Sequence, residues 1–476
     1  MMPFLNDVPQ LRTLQILARA KKKSIYLVGG FLRDYFLGEI KKDFDFAVSL
    51  GALNLAKDFA KKIRGAYVLL DEGNQCARVV KKMNAAIYTF DFTKFRDKTF
   101  EKDLKKRDFT INALYIKLED ILREDDLRPF LLKQKQAIKD IRARTIRQIS
   151  SRVFIDDPLR MMRAFSLKAV LGFKIDRKTL DQIKKDRNLI KKVSYERVCE
   201  ELFKIFKSPR AAATLKQMHK VGLLEAVLPQ IRVMFNCAQG AYHHLNVWEH
   251  SLETVVQLEK ILDNVRDSQW QEYLNENLAS NRPRYALLKL AALLHDIGKP
   301  DSRREDGKKK FIFHGHEHIG KNIVRSIAKL LKISVRERHI LEDMVLWHLR
   351  PGYLSNFKRP TDKAVYRYFR DTKDEAVGIL LLSLADQRST RGPLTSEKDQ
   401  RHHENLCLSL IQKYFDKKKE KIFKRLINGY DLIRQLKLTP SPLFSKILSA
   451  VDEAQSLGKI TTRQEALALA KKIVLK

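Results

Sequence analysis

The sequence predicts a multidomain chain of α/β and all-α parts: a head of mixed sheet with helices, followed by helical segments. Three observations predict it. At 476 residues the chain exceeds a single ordinary core. Runs of strand character such as IYLVGG and AAIYTFDF fall in the first 145 residues or so, and beyond them apolar residues recur at i, i+3 and i+4, the helical spacing. These shifts place boundaries near 145, 235 and 395: a head over 1–145, a helical neck over 146–235, a second helical unit over 236–395 that ends near Arg391-Gly392-Pro393, and a charged helical tail over 396–476 broken at Thr439-Pro440-Ser441-Pro442.

The head opens with an amphipathic helix. After it, Leu27–Val48 (LVGGFLRDYFLGEIKKDFDFAV) sets a Gly-Gly turn behind an apolar strand and then two carboxylates on alternate residues, Asp43 and Asp45. Side chains alternate along a strand, so both carboxylates point to one face and bind one Mg2+ or a close pair. Gly29 and Gly30 carry no Cβ, which lets main-chain N–H groups approach phosphate oxygens, and Arg33 reaches the same charge. This is the layout of a nucleotidyl-transfer site, where metal ions activate an attacking hydroxyl and stabilise leaving pyrophosphate. Asp91, in IYTFDFTKF, is either a third metal carboxylate or a polar residue at a strand end.

The neck opens with Phe154–Ala164, FIDDPLRMMRA. Cytosine and adenine share an amino donor beside a ring-nitrogen acceptor, whereas uracil and guanine present a carbonyl and an N–H. A carboxylate plus an arginine therefore accepts C and A and rejects U and G. Asp157 and Arg160, at i and i+3, are expected on one helix face as that pair, with Arg163 a turn further on for the triphosphate. The alternative is that Asp156-Asp157-Pro158 simply starts a helix.

The second helical unit carries a different chemistry. His250 lies in LNVWEHSLETVVQL, His295-Asp296 closes YALLKLAALLHDIGKP, and His314, His316, His318, His348 and Asp386 follow. Imidazole and carboxylate ligands together suit Mg2+ or a divalent transition metal, with open positions for water and phosphate. Lys299, one turn past Asp296, either meets a substrate phosphate or is a solvated helix end.

In the head and neck, four segments in order resemble the class II tRNA nucleotidyltransferase and bacterial poly(A) polymerase family. They are the Gly-Gly…Asp43-Phe44-Asp45 run; Arg107-Asp108-Phe109-Thr110-Ile111-Asn112-Ala113; the FIDDPLRMMRA segment; and Tyr195-Glu196-Arg197 with Glu200-Glu201-Leu202, near the end of the neck. The resemblance implies a polymerase-beta-like head and places Arg107 and Asp108 on the incoming nucleotide's phosphates and sugar, with Asn112 in the same nucleotide-binding set. Where Asp156 stands the family usually has Glu. The His/Asp set resembles the HD metal-dependent phosphohydrolase superfamily, which implies His250, His295, Asp296 and Asp386 as a minimal metal site. For a second metal it implies two further histidines, His316 and His348, with His314 and His318 outside the ligand set unless one of them replaces His316.

The expected function is template-independent addition or repair of the 3′-terminal CCA of tRNA from CTP and ATP, with Mg2+ in the head. The HD unit, with Mg2+ or a transition metal, is expected to remove cyclic or terminal phosphates. Alternatives are a specialist that adds only A, only CC, or poly(A), a nucleotide-signalling enzyme dominated by its hydrolase, and an RNA-binding protein with a decayed head, against which the intact Asp43 and Asp45 count. The charge agrees with a nucleic-acid partner: 93 Lys and Arg against 57 Asp and Glu give +36, which predicts strong, salt-dependent attraction to a polyanion. Four cysteines, at 76, 199, 237 and 407, have no metal-ligand spacing, no apolar run is long enough for a bilayer, and the N-terminus lacks a signal pattern. A cytoplasmic enzyme with free thiols and no membrane partner is the expectation; the sequence sets no oligomeric state.

Overall fold

The computed structural model describes residues 8–83, 86–123, 126–240, 244–279, 281–305, 311–392, 396–419 and 424–475. Pro393 and the first seven residues, on which the second unit's end and the missing signal were read, lie outside them. The chain divides into two compact units, one of residues up to Ile205 with Gln217–Val227, the other of Phe206–Lys216 with Leu228 onward.

In the first unit the expected leading helix, Pro9–Ala20, buries Leu11, Leu14 and Ala18. A six-stranded mixed sheet follows, in the order β3-β4-β5-β2-β1-β6, formed by β1 (Ile25–Val28), β2 (Asp43–Val48), β3 (Ala66–Asp71), β4 (Cys76–Met83), β5 (Ala86–Lys94) and β6 (Tyr115–Lys117). β2 and β5 pair in parallel and their neighbours pair antiparallel. The sequence Asp-Phe-Asp-Phe dictates how β2 sits. Phe44 and Phe46 are buried and stack on Phe90 and Phe92 of β5 at 5.3 and 5.4 Å, with Phe59 edge-on against the latter two. A strand that buries its phenylalanines this firmly cannot slip by one residue, so its aspartates are forced to the other face.

The glycine turn leads into α1 (Gly30–Phe36), and the neck is largely helical, with α2 (Leu159–Leu171) and α3 (Tyr195–Lys207) its principal helices. It also holds a short parallel strand pair, Thr145–Ile146 with Lys174–Ile175, that the helical reading did not include.

The second unit is helical around α5 (Arg284–Leu294), whose residues from Ala286 to Leu294 are all buried. α4 (Val247–Asp263), α6 (His316–Leu330), α7 (Val335–Trp347) and α8 (Ala376–Ser389) complete the bundle, and α9 (Glu397–Lys419) follows. An apolar stretch covered on every side is what marks a central helix. The tail then builds its own small core from Ile427, Leu432, Ile447, Val451, Ala466 and Ala470. The proline break falls between two of its helices, with Pro442 in the first turn of the next. None of the four cysteines is in a disulfide, and among the described residues no helix is long and apolar enough to cross a membrane.

Candidate active sites

In the first unit, Asp43 and Asp45 leave the exposed face of β2 together. The parallel register sets Asp91 directly beside Asp45 and Thr89 beside Asp43, whose carboxylate accepts the Thr89 hydroxyl at 2.5 Å. Asp91 is thus on the same face as the pair rather than at a strand end, and Arg78 on β4 donates to both its oxygens at 2.7 Å. Although Asp45 is open to solvent on one side, partial burial and the charges of Asp91 and Asp43 push its carboxyl up to about 6, against the pull of Arg107 and Arg163. Three acids converging on one face disfavour their own charge, and a divalent cation relieves that. Gly29 is needed for the approach: its φ is +83°, and a Cβ there would lie 3.3 Å from Asp45 Oδ2.

A cleft of about 1020 Å³, including its open mouth, collects Gly29, Gly30, Arg33, Asp45, Arg107, Asp108, Asn112, Asp157, Arg160 and Arg163. The sequence predicts each of these for the site, and the fold brings them together. Arg33, buried, donates to Asp34 at 2.7 Å and to Asn112 at 2.6 Å. Asn112 also donates to Asp108 at 3.3 Å, and Arg163 pairs with Asp108 at 3.1 Å. Burial opposes ionisation of Asp108, but Arg163 and the Phe109 N–H hold its carboxyl below the usual value. Arg107 pairs with Asp103 at 3.1 Å.

One expectation is corrected. Asp157 and Arg160 do not share a helix face, because Asp157 lies outside α2 in extended conformation (φ −151°, ψ 101°) at the end of the short helix Val153–Asp156. Pro158 imposes this: its ring disfavours helical backbone at the preceding residue. The Asp157 carboxylate accepts the Leu159 N–H at 3.2 Å, as a helix start would have it, and pairs with Arg197 of α3 at 3.2 Å. Arg160 donates to the Lys106 and Val153 carbonyls at 2.8 and 3.3 Å. Both residues still line the one cleft, brought there by the turn rather than by helical spacing.

In the second unit, three helix ends and two helix interiors converge. His295 and Asp296 leave the end of α5, His316 starts α6, His348 follows α7, His250 comes from α4 and Asp386 from α8. Their ligand atoms form two groups, His250, His295 and Asp386 in one and Asp296, His316 and His348 in the other. Asp296 spans both: Oδ2 lies 3.5 Å from His250 and 3.2 Å from His295, and Oδ1 lies 3.3 Å from His316 and 3.6 Å from His348. His314 and His318 are exposed and outside the cluster. Lys299 is not a solvated helix end but buried, paired with Asp296 at 2.6 Å and with the Gln239 side chain at 2.7 Å.

The imidazole hydrogen bonds fix what these groups can bind. Nδ1 of His295, His316 and His348 meets the carbonyls of Ala292, Phe313 and Val345 at 2.9, 2.7 and 2.7 Å. A carbonyl only accepts, so each Nδ1 carries a proton and each Nε2 turns inward as the atom that can bind an ion, which at His295 takes the place of a second proton. Nε2 of His316 and Nε2 of His348 are 3.3 Å apart. Two lone pairs facing one another at that distance repel unless a cation lies between them. Ligands about 2.1 Å from an ion stand roughly 3.0–3.4 Å apart, so these separations are those of a coordination shell. Burial lowers the basicity of His250 and His348, while Asp296 and Asp386 overcome burial to push His295 up to about 10. Both carboxyls are held well below their usual range despite burial, Asp296 by His295 and Lys299, Asp386 by His250 and His295. The donor set therefore fits divalent cations.

Gly298 holds the turn after Asp296 against α6. A Cβ at this position would fall 2.2 Å from the His316 carbonyl oxygen and 2.6 Å from the Gly320 nitrogen, both rigid main chain. Gly298→Ala is therefore expected to displace the end of α6 that carries His316 and to lower metal occupancy of the second unit while nucleotide addition continues. Metal content and both activities on one preparation check it, and full occupancy in the variant would mean that the backbone gives way freely.

Residues 25–147 match the family described as the poly A polymerase head domain, residues 172–234 a probable RNA- and SrmB-binding site of polymerase A, and residues 247–391 the HD domain. The class is thus a polymerase-type nucleotidyltransferase head joined to an HD domain. An A-adding tRNA nucleotidyltransferase of Deinococcus radiodurans is 30% identical over 449 residues, 93% of this chain and 94% of that one. A CC-adding tRNA nucleotidyltransferase of Thermus thermophilus is 29% identical over 454 residues, 94% and 93% of the two chains. The chain belongs to the tRNA nucleotidyltransferase and poly(A) polymerase family. Its fold matches that of a CCA-adding enzyme solved with CTP, at TM-score 0.63, 19% identity and coverage of 98% and 95%. It also matches the Thermotoga maritima CCA-adding enzyme solved with tRNA, at TM-score 0.59 and 19% identity, with 98% and 94% covered.

Sequence reasoning missed Arg78 and Gln239. Only the β4–β5 pairing and the path of the chain before α4 bring them to their sites, and neither residue carries a local signal.

Proposed function

We propose that the protein is a template-independent nucleotidyltransferase that builds or repairs the 3′-terminal CCA of tRNA from CTP and ATP, and that its HD unit is a metal-dependent phosphohydrolase. The observation that carries the first part is that Asp45, beside Asp43 on the same face of β2, lines one cleft with Asp157, Arg160, Arg33, Arg107 and Arg163. Asp43 and Asp45 hold Mg2+. Gly29 and Gly30 bring main chain close to the triphosphate, and Arg33, Arg107 and Arg163 receive its charge, with Asp108 and Asn112 at the sugar. Asp157 accepts from the amino group of C or A, and Arg160 donates to the ring nitrogen. When bound, divalent ions lower the pKa of the attacking hydroxyl or water and neutralise phosphate charge. His250, His295, Asp296, His316, His348 and Asp386 hold ions of that kind, Mg2+ or a transition metal, in the HD unit. The neck selects the nucleotide, the tail over 396–476 grips the RNA body, and the enzyme works in the cytoplasm.

A specialist reading is favoured by one finding: relatives alike over nearly the whole chain are described as A-adding and CC-adding tRNA nucleotidyltransferases. Purified protein incubated with tRNA ending before each of the three terminal positions, one labelled nucleotide at a time, separates the readings. Incorporation of C, C and A in order supports the full enzyme, incorporation of A alone or CC alone supports a specialist, and no incorporation on any of the tRNAs removes the proposal.

Base selection gives a further prediction. Asp157→Ala is expected to let UTP and GTP compete, with C/A discrimination falling roughly 5- to 150-fold, the equivalent of about 1–3 kcal/mol for a lost buried partner. The same change removes a helix-start contact, typically worth about 1 kcal/mol, so thermal stability is measured alongside. Retained discrimination with lowered stability would leave Asp157 as a helix-start residue only.

A further inference from the structure

The cleft above the HD centre has more room than a phosphate needs. Its cavity volume is about 380 Å³, within the roughly 300–1000 Å³ of pockets that hold a small ligand, with Asp296, His348 and Asp386 among its walls. Tyr353 lines the same cleft from the short helix Arg350–Ser355, which starts two residues after His348. The residue is 60% exposed, an amphipathic ring beside a buried ionic centre. Next to it, Gly352 also lines the cleft and brings no side chain into it. A further wall comes from α9, beyond the HD family match, where the buried His403 hydrogen-bonds to Ser383 at 3.1 Å.

We propose that Tyr353 determines the specificity of this centre by stacking the base of a nucleoside phosphoester whose phosphate lies at Asp296, Lys299 and His348. The inference rests on the phosphohydrolase reading and adds the base as the recognised feature, because an exposed aromatic ring on the wall of a cleft fits a flat π-system in a sequence-tolerant way. In the reaction on a 2′,3′-cyclic phosphate, a water oxygen bonds to phosphorus, one ribose P–O bond breaks, and a water proton ends on the released ribose hydroxyl.

The test compares adenosine 2′,3′-cyclic phosphate with glycerol 1,2-cyclic phosphate, a cyclic diester without a base, in the full-length protein loaded with Mn2+. Tyr353→Ala is expected to raise KM for the adenosine substrate roughly 5- to 100-fold, with kcat, metal content and hydrolysis of the glycerol substrate unchanged. Tyr353→Trp should restore the lower KM, which a merely structural role of the tyrosine would not produce. If the unaltered protein hydrolyses the adenosine substrate and Tyr353→Ala leaves its KM in place, the stacking proposal is overturned while the phosphohydrolase reading stands. If the unaltered protein hydrolyses neither substrate, both fall.

Discussion

Asp45→Ala is expected to lower single-turnover nucleotide addition by on the order of a thousandfold or more, because a metal ligand at the reacting phosphate supplies several kcal/mol of transition-state stabilisation at about 1.4 kcal/mol per tenfold. Affinity for tRNA should change little, since an RNA body is held by many phosphate contacts and not by the metal. The register of β2 supports the separation: Phe44 and Phe46 hold the strand in the core, so truncating an outward carboxylate leaves the sheet intact. A pH dependence accompanies it. With the Asp45 carboxyl pushed up to about 6, the proton competes with Mg2+ as pH falls through that value, so at low Mg2+ addition should fail near pH 6 and saturating Mg2+ should move the limb to lower pH. The sign for stability runs the other way. A carboxyl whose folded value is raised disfavours the fold above that pH, so Asp45→Asn should raise the melting temperature of the metal-free protein at pH 7. Near-normal single-turnover addition by Asp45→Ala would take this residue out of the reaction.

Much of the head was legible because its information is local. Asp-Phe-Asp-Phe states both which face is core and which face is chemistry, and no tertiary contact is needed to read it. His295-Asp296 at the end of an apolar helix was legible for the same reason. What local pattern could not supply was partnership across the sheet. Asp91 reads as ambiguous until the parallel pairing of β2 and β5, set by a crossover through a helix and two further strands, places it beside Asp45. The Arg78 clasp on Asp91 follows from the same long-range register. At Asp157 the signal was present and outweighed: helical spacing put it on a face with Arg160, while the following proline dictated extended backbone. The burial of Lys299 depends on Gln239, sixty positions earlier, which no spacing rule connects to it. Tyr353 carries no motif, and its interest arises only from its place on the wall of the cleft at the HD centre.

Changing both His295 and Asp296 to Ala should strip metal from the HD unit, eliminate phosphodiesterase activity on 2′,3′-cyclic nucleotides and spare nucleotide addition. The loss is expected to be complete because the two residues serve both ligand groups: His295 belongs to one, and Asp296 offers one oxygen to each. Single variants should divide the effect. His250→Ala removes a ligand from the first group and His348→Ala one from the second, so each should lower metal content by about one ion per chain where the double variant lowers it by two. Independence from the head follows from the composition of the two centres, one of imidazoles and carboxylates on helices and the other of carboxylates alone on a strand, in separate compact units with cores of their own. The side chains removed are fully buried, so a fold effect must be told apart from a metal effect. His295→Gln with Asp296→Asn keeps the volume and removes the charge and the ligand geometry, and it should reproduce the loss of metal and hydrolysis with little loss of secondary structure. Metal content by elemental analysis, hydrolysis and nucleotide addition are measured on one preparation. Unchanged metal and unchanged hydrolysis would remove the HD assignment, and loss of both activities in the conservative double variant would mean that these residues serve the fold.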